Sequence, residues 1–161
     1  EQDILEVRNF INTPILRKDF MIDDYQFYEA KAMGADVVLL IAACLSPSQV
    51  ENYTALSHEL GMEVLLEIHN EEELKHYNQS VDLVGINNRN LKSFEVDLQH
   101  SINLKNLLPK NTLSIAESGI YNLENYNFLK EKGFDGFLMG EYFMREKNPG
   151  LAFQEFISKT K

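Results

Sequence analysis

Lys18 stands near the end of an otherwise apolar run, PILRKDF. Successive strand side chains alternate faces, so if Leu16 and Lys18 share one, Lys18 points inward where the strand ends. A lysine drawn out of water there has a tunable pKa and suits a general acid. With Lys18 inward, Asp19 would face the surrounding helix layer and hold the loop; the plainer alternative is a solvated surface lysine. Glu67 ends the run MEVLLEIH, a carboxylate after apolar residues, and is a candidate general base. Its structural alternative is an ion pair with Arg17 or Lys18. His69 follows, without HxH or HExxH spacing, and reads as a loop residue rather than a metal ligand. The stretch Gly85-Ile86-Asn87-Asn88-Arg89-Asn90 puts four polar residues at one strand end. Its many donors suit a carboxylate or sugar hydroxyls; the alternative, an Asn-rich turn, does not need the arginine. Glu117-Ser118-Gly119 and Gly140-Glu141 close two further runs. Glycine there lets backbone N–H groups approach an anion such as phosphate, and a following helix directs its positive end at the same point.

The elements that must position these groups repeat along the chain. Apolar runs begin near Pro14, Asp36, Met62, Asp82, Thr112 and Phe134, at spacings of 22, 26, 20, 30 and 22 residues. They are apolar throughout rather than alternating, as buried parallel strands are. Amphipathic stretches at 24–33, 47–60, 71–79, 98–107, 122–131 and 149–159 predict helices between and after them. Asp23 or Asp24, Ser46-Pro47, Asn70 before three Glu, and Pro149 mark helix starts. Gly34-Ala35-Asp36, Gly61-Met62-Glu63 and Gly133-Phe134-Asp135 form a weak repeat, a left-handed helix stop followed by a strand. A unit of about 25 residues is a βα module with short loops. Six in a row fit an open doubly wound sheet or part of a (β/α)8 barrel. No GxGxxG or GxxxxGK[ST] follows a strand, and polar residues gather at nearly every strand end, which favours the barrel. At the chain start, Ile4, Val7, Phe10 and Ile11 fall at helical spacing without an initiator Met. This reads as the second half of a helix, with the front of a barrel expected to precede it.

At 161 residues, the chain is expected to be a single domain. Twenty-five acidic and 15 basic side chains give a net charge of -10, which argues against a general nucleic-acid or anionic-membrane binder but not against one small anionic substrate. No apolar run is long enough to span a bilayer, no signal peptide opens the sequence, and one cysteine, Cys44, allows neither an internal disulfide nor a zinc cluster. A cytoplasmic location is expected.

On these residues the chain resembles the indole-3-glycerol phosphate synthase family. PILRKDFMID is similar to that family's third strand and loop, GADVVLLIAA and GMEVLLEIHNEEEL to its fourth and fifth units. VGINNRNLKSFEVDL, the most specific motif, resembles the sixth; IAESGI and GFLMGEYFMR resemble the seventh and eighth. The resemblance implies a TIM barrel, here its last six βα units. It also implies ring closure of 1-(2-carboxyphenylamino)-1-deoxyribulose 5-phosphate with loss of CO2 and water, and no cofactor or metal. By motif match, Lys18 is a catalytic general acid and Glu67 a catalytic glutamate assisting proton transfer. Asn87 and Ser118 match active-site polar positions, Arg89 and Glu117 the substrate pocket, and Phe20 an apolar wall near the aromatic ring. Gly119, Gly140 and Glu141 match the phosphate loops, Glu141 through its backbone N–H. The family's first strand carries another catalytic lysine and glutamate, and its second a serine-containing loop; neither is among these residues. The resemblance therefore predicts little or no activity for the fragment alone, and self-association through open strand edges.

Two other readings compete. Another phosphate-binding barrel, such as phosphoribosylanthranilate isomerase, would need a cysteine–aspartate acid–base pair, but Cys44 reads as structural and GINNRN fits the synthase better. A partial barrel that holds phosphate without turnover would have no need of Lys18 and Glu67.

Overall fold

A computed structural model describes residues 2–90 and 95–160. The chain divides into two compact units, Glu1–Val84 and Gly85–Lys161.

The first unit contains α1 (Gln2–Arg8), β1 (Leu16–Arg17), α2 (Tyr25–Met33), β2 (Val37–Ile41), α3 (Pro47–Glu59) and β3 (Glu63–Ile68), with short 3-10 segments at Ala42–Cys44 and Glu71–His76. Its strands are parallel and lie in chain order, β1 beside β2 and β2 beside β3. The register pairs Leu39 with Leu65 and Ile41 with Glu67. Val38, Leu40, Val64, Leu66 and Ile68 are fully buried. Each such side chain contributes about 1.5–3 kcal/mol relative to exposure. The faces of α2 and α3 meet through Phe27 and Tyr53, whose ring centroids are 4.7 Å apart.

β4 (Leu83–Asn87) runs through the boundary between the units. The second unit continues with α4 (Leu98–Leu107), β5 (Ser114–Glu117), α5 (Leu123–Glu131), β6 (Gly136–Leu138), α6 (Gly140–Met144) and α7 (Pro149–Lys159). Here too the order is β4, β5, β6, and β6 is parallel to β5. Among the described residues, neither unit contains the order reversal that defines an open doubly wound sheet. Tyr126, Phe137, Tyr142, Phe143, Phe153 and Phe156 pack as one aromatic cluster, with centroids 4.5–5.6 Å apart.

The helix-to-strand repeat has a structural counterpart. Gly34, Gly61 and Gly133 all have positive φ. The aspartates entering three strands each accept a backbone N–H from the start of the strand before or the residue next to it: Asp36 from Ile15, Asp82 from Val64 and Asp135 from Ser114, all at 2.8 Å. The Ile15 N–H, outweighing burial and helped by Arg8, holds the Asp36 carboxyl below its ordinary range.

Three sequence expectations change. The predicted helix over 71–79 is a shorter 3-10 segment, because the Asn70 side chain caps Glu73 N–H at 3.1 Å and the His76 ring ties it to Glu73 O and Leu45 O at 3.0 and 2.9 Å. α1 ends at Arg8, short of Phe10 and Ile11, which lie exposed beyond it. The Arg8 guanidinium turns to Gly34 O and to Asp36 instead of extending the helix. Cys44 is exposed rather than packed as a structural residue. No helix among the described residues is long and apolar enough to cross a membrane.

Candidate functional site

The first unit brings two of the predicted site residues together. At the end of β1, Arg17 and Lys18 go to opposite sides, as strand alternation requires. Arg17 is buried and donates to Gln26 O at 3.0 Å, to Glu29 at 2.8 Å and to Asp19 at 3.2 Å. Burial alone would oppose its charge, but the two carboxylates hold it protonated more firmly than usual. Asp19 also accepts the Phe20 N–H at 2.8 Å and so ties down the loop. Lys18 reaches the other way: its Nζ lies 3.0 Å from Glu67 Oε2 at the end of β3. Of the two ion pairs weighed from sequence for Glu67, the one with Lys18 forms and Arg17 is engaged elsewhere. Phe20 is 61% exposed and free to act as an apolar surface.

His69 is not a bare loop residue. Its Nε2 lies 2.9 Å from Glu67 Oε1, and its Nδ1 lies 3.3 Å from Glu73 Oε2. Glu73 Oε2 also accepts the His69 backbone N–H at 2.7 Å. The Glu67 and His69 side chains are only 4% and 8% exposed. Burial by itself would favour a neutral ring, but hydrogen bonds to Glu67 and Glu73 reverse this and raise the His69 pKa to about 9. Glu73 is held below its ordinary value by the same contacts, against its own burial. The local signal for this arrangement was the Asn70–Glu73 capping spacing, which turns Glu73 back toward His69.

The second unit holds the other candidates. Asn87 is buried, and its Oδ1 accepts the Arg89 N–H at 3.0 Å. Asn88, which sequence reading left among the general donors, is more deeply placed. Its Nδ2 donates to Glu117 O and Ser118 O, both at 2.9 Å, so β4 is tied to the end of β5. The backbone reinforces this, with Asn88 N–H donating to Glu117 O at 2.8 Å. Glu117 is buried, and Ser118 and Gly119 follow in the left-handed region at φ 61° and 71°. A Cβ on Gly119 would collide with Val96 Cγ1, so any other residue here is strained. Val96 is placed there by an antiparallel bridge to Arg89. The 91–94 part of the GINNRN-containing motif lies outside the described residues.

Gly140 opens α6 with empty space where a Cβ would stand, which leaves its backbone open to approach. The Glu141 side chain accepts from Arg89 Nη2 at 2.7 Å, and the same nitrogen lies 3.5 Å from Tyr121 Oη. Sequence reading placed Arg89 and Glu141 at different parts of a ligand; the structure joins them in an ion pair. Both side chains remain substantially exposed.

Comparisons with known proteins place the chain by sequence and by fold. The family model for indole-3-glycerol phosphate synthase matches residues 1–156. The indole-3-glycerol phosphate synthase of Bacteroides thetaiotaomicron is 47% identical over 156 residues, covering 97% of this chain and 60% of the relative. That of Polynucleobacter asymbioticus is 46% identical over 154 residues, covering 95% of this chain and 58% of the relative. The chain thus spans about 60% of the length of these relatives. Among solved structures, the tryptophan synthase A-subunit of Pyrococcus furiosus matches with a TM-score of 0.69 at 18% identity, over 97% of this chain and 68% of that one. KGPDC from Streptococcus mutans matches with a TM-score of 0.74 at 13% identity, over 97% of this chain and 77% of that one. At such identities these structures speak to the fold alone, and the fold is that of consecutive βα units of a (β/α) barrel. The chain belongs to the indole-3-glycerol phosphate synthase family.

Proposed function

We propose that the protein is an indole-3-glycerol phosphate synthase. It would close the ring of 1-(2-carboxyphenylamino)-1-deoxyribulose 5-phosphate, a phosphorylated small molecule, and release CO2 and water. The observation that carries this reading is the Lys18–Glu67 pair at 3.0 Å in a chain matched to the family over residues 1–156. Ring closure needs a proton on the carbonyl oxygen as the aromatic carbon attacks, and the Lys18 ammonium is a suitable donor. Loss of CO2 and dehydration restore aromaticity, and the Glu67 carboxylate assists the accompanying proton transfers. Asn87 and Ser118 act as polar groups of the active site. Arg89 and Glu117 line the substrate pocket, and Phe20 forms a wall against the aromatic ring. The backbone at Gly119, Gly140 and Glu141 holds the phosphate, which lets a protein of net charge -10 bind an anion. The residues act as part of one barrel domain in the cytoplasm, and an uncovered strand edge would favour self-association.

The test is a synthase assay of the full-length natural protein by indole fluorescence. Lys18→Ala is expected to lower turnover by about 10²-fold or more. Wild-type turnover in that variant, or none in the parent protein, would overturn the reading.

A further inference from the structure

Glu67 is gripped from two sides. Lys18 Nζ is 3.0 Å from Oε2 and His69 Nε2 is 2.9 Å from Oε1. The two cations differ in mobility. Lys18 ends a flexible stem and its side chain is 45% exposed, whereas the His69 ring is 8% exposed. The ring is fixed on its far side as well, with Nδ1 3.3 Å from Glu73 Oε2. Glu73 is pinned in turn, because Oε2 accepts the His69 backbone N–H and Oε1 accepts Asn70 Nδ2, both at 2.7 Å. An imidazole that faces a carboxylate at each ring nitrogen satisfies both only when it carries two protons. A neutral amide could fill the same space, but it could not balance the charge of a carboxylate this buried.

A synthase needs Glu67 to keep its place when Lys18 gives its proton to the substrate, and Lys18 alone cannot ensure that. We propose that His69 is a positioning residue: clamped between Glu67 and Glu73, it fixes the Glu67 carboxylate in one orientation and keeps it ionised while Lys18 engages the substrate. This role rests on the synthase reading above; the coupling between His69 and Glu67 does not. The charged groups facing His69 among the described contacts are Glu67, from its own strand end, and Glu73, from the 3-10 segment that follows. The raised pKa of His69, about 9, agrees with a ring that stays charged at neutral pH.

The experiment uses the full-length protein and its His69→Gln and Glu73→Gln variants. The Glu67 carboxyl is followed by carbon NMR against pH, with Glu67→Gln to assign the signal, and kcat and KM are measured across pH. Glutamine keeps a donor but removes the charge, so in His69→Gln the Glu67 titration midpoint should rise by about one pH unit. The acidic limb of the kcat profile should move up with it. kcat should fall by about tenfold while KM stays within about twofold, because substrate binding is not what His69 serves. An unmoved Glu67 titration in folded His69→Gln would overturn the proposal. If that variant does not fold, Glu73→Gln decides: the His69 midpoint should drop from about 9 toward 6.5, and an unmoved midpoint would overturn it. Synthase turnover that survives Glu67→Gln would remove the functional reading, and the NMR titration would then judge the His69–Glu67 coupling alone.

Discussion

In the first unit the strand-end groups are held by charge; in the second they are held by backbone. Lys18, Glu67, His69 and Glu73 alternate cation and anion over contacts of 3.0, 2.9 and 3.3 Å, with Glu67 and His69 buried. In the second unit the buried tie is neutral, from Asn88 Nδ2 to two carbonyl oxygens, and the loop it holds contains two consecutive left-handed residues. A charge pair among the described residues there, Arg89–Glu141, stays at the surface. The difference suits the two tasks proposed for them. Proton transfer needs titratable groups whose charges are tuned by burial and by each other. Holding a phosphate through backbone needs a loop of fixed shape, which carbonyl acceptors and a glycine supply.

This contrast yields graded predictions. The largest effect is expected from Glu67→Ala, which takes one of its carboxylate partners from the buried His69 ring. It should cost about 3 kcal/mol of stability, in the range for breaking a buried pair, read as a lower urea midpoint; a change within error would dissolve the idea that charge holds this region. Next comes pH. With a folded-state pKa near 9 against an ordinary 6.5, His69 stabilises the fold fully below about pH 6.5, and that stabilisation is lost as pH rises through about 9. Roughly 3 kcal/mol should disappear over that window, and chemical denaturation of His69→Gln should show no corresponding decline. A wild-type profile that is flat from pH 6.5 to 9 would count against the clamp. Gly119→Ala probes the backbone-held region. The positive φ and the collision with Val96 should cost about 1–3 kcal/mol, and phosphate affinity measured by calorimetry should weaken in step. Full stability in that variant would show that the loop has other shapes available. The smallest effect is expected for Arg89→Ala, below about 1 kcal/mol because the ion pair is exposed. A thermal-melt shift as large as that of Glu67→Ala would erase the distinction between the regions.

Much of the framework was legible in the chain. The apolar runs at 36–43, 62–69 and 82–88 become β2, β3 and β4 because an uninterrupted apolar segment bounded by turns has no better state than a strand buried on both faces. Ser46-Pro47 starts α3, with its capping box to Gln49 in place. The family match was legible too, since GINNRN and LLEIH are local strings. Less legible were features that depend on what lies across a gap. Nothing in the residues around Asn88 says that its amide would meet Glu117 O and Ser118 O some thirty positions on. The short helix α6 was missed because its five residues carry no helical period of their own.

The sequence by itself determined the βα repeat, the polar residues at the strand ends and the family to which they belong. These follow from local periodicity, helix stops and short motifs, all of which act over a few residues. Only the tertiary structure decided the pairings. Glu67 met Lys18 rather than Arg17 because alternation along β1 turned Arg17 toward Glu29. His69 met a second carboxylate because the capped turn after it brought Glu73 back against the ring. Charge state and contact are set by burial and by distances between segments far apart in the chain, and those quantities exist only once the strands have paired.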